Sequence, residues 1–149
     1  MKKIDDRTDL GVTTIDLYLT GHCNYKCGYC YGEIDTEPHM SRDMIDSCLH
    51  FAEDIGASTI ELCGGEPLLS PHFEYVIEEI NKKGLSIILR TNGLLIDRHM
   101  QLISKYCKWV GVSLDGLPDT NALMRSSRSN ISIEEQFNRP IEAIKQLKE

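Results

Sequence analysis

Three cysteines within eight residues constrain this chain more than any other feature. Cys23, Cys27 and Cys30 stand at C-x3-C-x2-C spacing, directly after the strand-like run Thr14 to Thr20. Thiols this close can converge on one metal centre. Two would suggest half a zinc site or a redox pair, and four a closed structural site. Three leave a coordination position open for something exogenous. Thiolate softness favours zinc, Cu(I) or an iron–sulfur cluster. A compact loop of this kind suits a [4Fe–4S] cluster that keeps one iron free of protein ligands. Zinc would need a fourth ligand, and His22 and His39 keep that alternative open. A disulfide framework is disfavoured, because six cysteines are spread over 149 residues. The opening Met1 to Asp6 also lacks the apolar core of an export signal.

Composition narrows the partners. Sixteen Lys and Arg against 23 Asp and Glu give a net charge of −7, which argues against nucleic acid and anionic membranes. No apolar run approaches the ~20 residues of a transmembrane helix. Free thiols without an export signal lead to the expectation of a cytoplasmic protein.

Taken in order, residues 1 to 13 read as a polar lead-in and 14 to 149 as one domain. Strands are expected at Thr14–Thr20, Thr59–Cys63, Ser86–Arg90 and Trp109–Leu114. The first helix starts after Ser41 and turns Met44, Ile45, Cys48, Leu49, Ala52 and Ile55 to the core. A second opens with Ser70 as cap and Pro71 at its first position. Asp97 caps a short third helix through Cys107. A polar loop follows the fourth strand. Ser132 and Glu135 cap the last helix, which Pro140 should kink or restart. Cys48 and Cys107 read as core residues, and Trp109 as packing on a helix. Four βα repeats imply an α/β fold with a parallel sheet and right-handed crossovers, whose ligands bind at the carboxyl ends of the strands.

Every chemically notable segment falls at that end. Gly64-Gly65-Glu66-Pro67 follows the second strand; its glycines allow close approach to a ligand, and the carboxylate could hold an amine. The same glycines are also ordinary turn chemistry. Ser113 and Asp115, two apart, would share one strand face and could bond ribose hydroxyls. Asn92-Gly93 and Asp115-Gly116 are equally turn pairs. Arg125 could meet a ligand carboxylate, with Arg128 as its rival. Tyr29 could cover an adenine or shield a cluster from water.

Together these motifs resemble the radical S-adenosylmethionine superfamily. Cys23-x3-Cys27-x2-Cys30 with Tyr29 before the last cysteine is similar to its cluster motif. Gly64 to Pro67 is similar to the segment that holds the methionyl amine, and Ser113 and Asp115 to its ribose-contacting positions. Cys-Asn-x-x-Cys-x-Tyr-Cys-Tyr with Ser-Leu-Asp-Gly and Arg125 looks most like the branch of sulfatase-maturing and peptide-modifying enzymes with a SPASM or twitch domain. The resemblance implies a [4Fe–4S] cluster and S-adenosylmethionine bound at the open iron, a one-electron reductant of flavodoxin or ferredoxin type, and a 5′-deoxyadenosyl radical that abstracts hydrogen from a substrate such as a peptide. It implies a partial (βα) barrel of six units, of which this chain supplies four. A truncated product is therefore expected, with an open edge at 109 to 115 free to pair with itself or a partner. No catalytic residue is assigned. A non-catalytic iron–sulfur or zinc module is the alternative.

Overall fold

β-Branched and aliphatic runs alternating with amphipathic segments fold as a parallel sheet backed by helices. The structure is a computed structural model that describes residues 13–32 and 38–148. The expected lead-in lies outside the described residues except for Thr13, as does Glu149. The elements are β1 (Thr14–Tyr18), β2 (Tyr25–Cys27), α1 (Arg42–Asp54), β3 (Thr59–Cys63), α2 (Phe73–Lys82), β4 (Ser86–Thr91), α3 (Met100–Tyr106), β5 (Cys107–Val112), α4 (Pro118–Met124), β6 (Arg125–Ser127) and α5 (Ile133–Leu147). The main sheet runs β1-β3-β4-β5, every pair parallel, with Thr14 opposite Thr59 and Thr59 opposite Ser86. This is the expected α/β arrangement of a partial barrel.

Period-two alternation makes the two faces of the sheet unlike. Leu17, Ile60, Leu62, Ile87 and Leu89 point into the core. There they pack with Ile45, Leu49 and Ala52 of α1, Phe73, Val76, Ile77 and Ile80 of α2, and Ile103 of α3. The alternate positions Asp16, Tyr18, Glu61, Arg90 and Trp109 stay on the other face. Tyr18 is 48% and Trp109 54% exposed. Trp109 therefore does not pack on a helix; it lies beneath the Arg90 guanidinium, 5.9 Å from its carbon. Arg90 in turn pairs with Glu61.

Local signals set most boundaries. The Ser41 hydroxyl accepts from the Met44 amide at 3.3 Å and starts α1. Met44 itself is exposed, because it sits at the flank of the stripe led by Ile45 and Leu49. α2 begins at Phe73, later than expected. Pro67–Leu69 forms a 3₁₀ turn, and the Ser70 hydroxyl is used in the next turn, accepting from the His72 amide at 3.2 Å. Asp97 lies inside a second 3₁₀ turn, Ile96–His99, and pairs with Arg139 at 2.7 Å instead of capping. Cys107 opens β5, which ends at Val112. The Ser132 hydroxyl caps α5 by accepting from the Glu135 amide at 3.1 Å. α5 runs through Pro140 as a single element without restarting. The expected polar loop after Asp115 is instead α4 and β6, and β6 pairs antiparallel with β2. Among the described residues, no helix is long and apolar enough to cross a membrane.

Candidate functional site

The carboxyl ends of β1, β3, β4 and β5 and the cysteine loop enclose a cleft of about 230 Å³. Cys23, Cys27, Tyr29, Cys30, Gly64, Gly65, Asn92, Ser113 and Arg125 line it, as expected of one rim. Tyr18, Tyr25, Tyr31, Cys63, Arg90 and Thr91, which no motif singled out as ligands, line it too. Glu66, Pro67 and Asp115 do not. A second cavity of about 670 Å³ shares Tyr18, Cys30, Gly64 and Gly65 with the cleft and extends toward Met44.

The glycines after β3 shape the cysteine loop. Gly64 has φ +131°, and a Cβ there would come within 2.5 Å of the Thr20 carbonyl oxygen. A Cβ on Gly65 would collide with the His22 carbonyl. The gap closes because the Gly65 amide donates to Thr20 O at 2.7 Å and the Glu66 amide to His22 O at 2.8 Å. The close approach is thus to the chain's own backbone, immediately before Cys23. The far side of the loop is held by β2 and β6, which put Cys27 opposite Arg125. The Arg128 amide donates to Asn24 O at 2.9 Å, and the Gly28 amide to Met124 O at 3.3 Å. A third tie comes from the Asn92 side chain, whose Nδ2 donates to Asn24 Oδ1 at 2.6 Å.

Glu66 is 1% exposed, and its carboxylate is fully engaged within the chain. Oε1 accepts from the Leu68 amide at 3.2 Å and the Thr91 hydroxyl at 2.7 Å, and Oε2 from the Asn92 amide at 2.9 Å. Burial raises its pKa to about 7 against these three donors. The side chain joins the exits of β3 and β4 and positions Asn92. Pro67, also buried, starts the 3₁₀ turn behind it.

Tyr29, Asp115 and Arg125 meet one another. The Tyr29 hydroxyl donates to Asp115 Oδ2. Arg125 Nε stands 2.7 Å from the same oxygen. The guanidinium carbon is 5.6 Å from the Tyr29 ring centroid. Arg125, not Arg128, lines the cleft. Ser113 also lines it, its amide donating to Thr91 O at 3.0 Å.

All six cysteines are free thiols. Burial pushes Cys23 up to about 11 and also raises Cys27, with Arg125 opposing at Cys27. Such thiols ionise when a metal takes the proton's place, which is how cluster ligands are normally made. Among the described residues, no group of three or more His, Cys, Asp or Glu side chains closes around a single metal ion. A cubane takes one thiolate at each of several iron corners, so its ligands need not converge on a point. Three thiols on one cleft, beside a cation and a backbone rim, fit that donor set.

Comparison with known proteins covers most of the chain. The Radical SAM superfamily model matches residues 17–149. Fe-coproporphyrin III synthase of Methanosarcina barkeri is 32% identical over 115 residues, covering 74% of this chain and 29% of that protein. A probable GTP 3′,8-cyclase of Methanococcus maripaludis is 32% identical over 145 residues, covering 93% of this chain and 49% of that protein. SuiB of Streptococcus suis has a similar fold. Its complex with precursor peptide SuiA superposes with a TM-score of 0.76 at 19% identity, covering 91% of this chain and 30% of that one. Its complex with S-adenosylmethionine gives 0.75 at 20%, covering 91% and 31%. The chain thus spans less than half the length of each of these proteins.

Proposed function

Because this chain belongs to the radical S-adenosylmethionine superfamily, we propose that its cleft binds a [4Fe–4S] cluster through Cys23, Cys27 and Cys30, with S-adenosylmethionine beside it. One observation carries this reading: a single cleft gathers the three thiols, the Gly64-Gly65 backbone, Asn92, Ser113 and Arg125 from four separate strand ends and β6. The Arg125 guanidinium would take the cofactor carboxylate, the Ser113 hydroxyl a ribose hydroxyl, and the Gly64-Gly65 backbone the methionyl amine. Tyr29 would flank the adenine. When bound, the pair supplies one-electron cleavage of the sulfonium to methionine and a 5′-deoxyadenosyl radical, given a flavodoxin- or ferredoxin-like reductant in a reducing cytoplasm. Glu66 acts behind this rim, fixing Asn92 and the β3 exit.

The substrate class supported better is a small molecule. The relatives at 32% identity are named for a coproporphyrin and for GTP, whereas peptide-bound SuiB is 19% identical and supports the fold alone.

Equilibrium binding of S-adenosylmethionine to the anaerobically reconstituted chain tests the reading. The loaded chain should bind it. Arg125→Ala should weaken binding by about tenfold or more, the worth of a hydrogen bond to a charged group. Cys27→Ala should lose cluster and binding together. No binding by the loaded chain, or wild-type binding by Cys27→Ala, would overturn it.

A further inference from the structure

Asp115 occupies an unexpected place. Its sequence position suggested a ribose contact, yet its carboxylate is taken up by Tyr29 and Arg125, two residues that line the cleft. We propose that Asp115 is a positioning residue that locks the cysteine loop to Arg125; the proposal rests on the cofactor reading above.

The geometry is specific. Tyr29 stands between Cys27 and Cys30, so whatever fixes Tyr29 fixes the strap joining two of the thiols. Its hydroxyl donates to Asp115 Oδ2. The same carboxylate holds Arg125, with Nε 2.7 Å from Oδ2 and Nη2 3.5 Å from Oδ1. Asp115 is itself anchored, since its amide donates to Oδ1 of Asn121 at 3.0 Å. Asn121 is 2% exposed on α4. Arg125 is fixed from behind, because the Gln136 side chain of α5 donates to its carbonyl at 2.5 Å. One carboxylate therefore sets both the thiol strap and the cation, and its loss should be felt at both.

The test uses the reconstituted chain and three variants, read by EPR of the reduced cluster without S-adenosylmethionine and by cofactor affinity. Asp115→Ala should shift the cluster g-values before any cofactor is added and weaken cofactor binding several-fold. Tyr29→Phe removes only the hydroxyl from a half-exposed side chain and should reproduce the EPR shift. Asp115→Asn keeps an acceptor for Tyr29 but loses the charge, so it should restore the EPR signal while affinity stays low. A wild-type EPR signal in both Asp115→Ala and Tyr29→Phe would overturn the proposal and leave Asp115 as a ribose contact only. If Asp115→Ala retains no cluster, Tyr29→Phe decides. A wild-type cluster indifferent to S-adenosylmethionine would instead sink the cofactor reading, with the variants' cofactor-free spectra still testing the lock.

Discussion

Gly65 holds two strand exits closer together than any side chain permits. Gly65→Ala should cost about 1–3 kcal/mol, since the new methyl meets backbone and not a flexible tip. A urea midpoint indistinguishable from wild type would show that the β3 exit yields freely. Glu66 makes a pH prediction. Its folded pKa of about 7 lies above the ordinary 4.5, so between those values the folded chain holds more protons than the unfolded one. Its contribution is complete below pH 4.5 and declines as pH rises through 7, by up to ~3 kcal/mol. Glu66→Gln should flatten that component in urea titrations; an equal slope in variant and wild type would contradict it. Much at this scale was legible, because thiol spacing and strand-end positions are local. Asp115 was not: two-residue parity placed it beside Ser113, but β5 ends at Val112 and parity ends with it. The sequence leaves Glu66 free to hold an amine, because nothing local announces that Thr91 and Asn92 bond its oxygens.

The paired strands β2 and β6 decide the shape of the cysteine loop. Each is three residues long, too short for a period, and the partners are far apart in sequence. α4 hides for a related reason: seven residues with Leu123 exposed, preceded by an exposed Leu117, carry little amphipathic pattern. The longer elements were readable because burial repeats along them, as in α1, α2 and β3. Ser126 lies opposite Lys26 at the centre of the β2–β6 pair. Ser126→Pro deletes a ladder donor and should release the loop while sparing the main sheet. Iron retained after desalting should fall severalfold with little change in thermal midpoint. Full retention would mean that the loop does not depend on this pairing.

At the scale of the whole molecule, one face of the sheet is covered by helices and the other carries Asp16, Tyr18, Glu61, Arg90 and Trp109. Among the described residues, β1 and β5 each have a single sheet partner, as a partial barrel requires. Four repeated βα units make this arrangement legible in the sequence, since parallel neighbours need a crossover between them. The curated relatives continue well beyond the matched region, so turnover and substrate choice are proposals for the longer architecture. The proposed cofactor capture rests on the cleft itself and is tested most directly by EPR of the reduced, anaerobically reconstituted chain with and without S-adenosylmethionine. We predict about four irons per chain and a cluster spectrum that changes when the cofactor is added. Stoichiometric zinc in place of iron, or a cluster spectrum that the cofactor leaves untouched, would contradict the account.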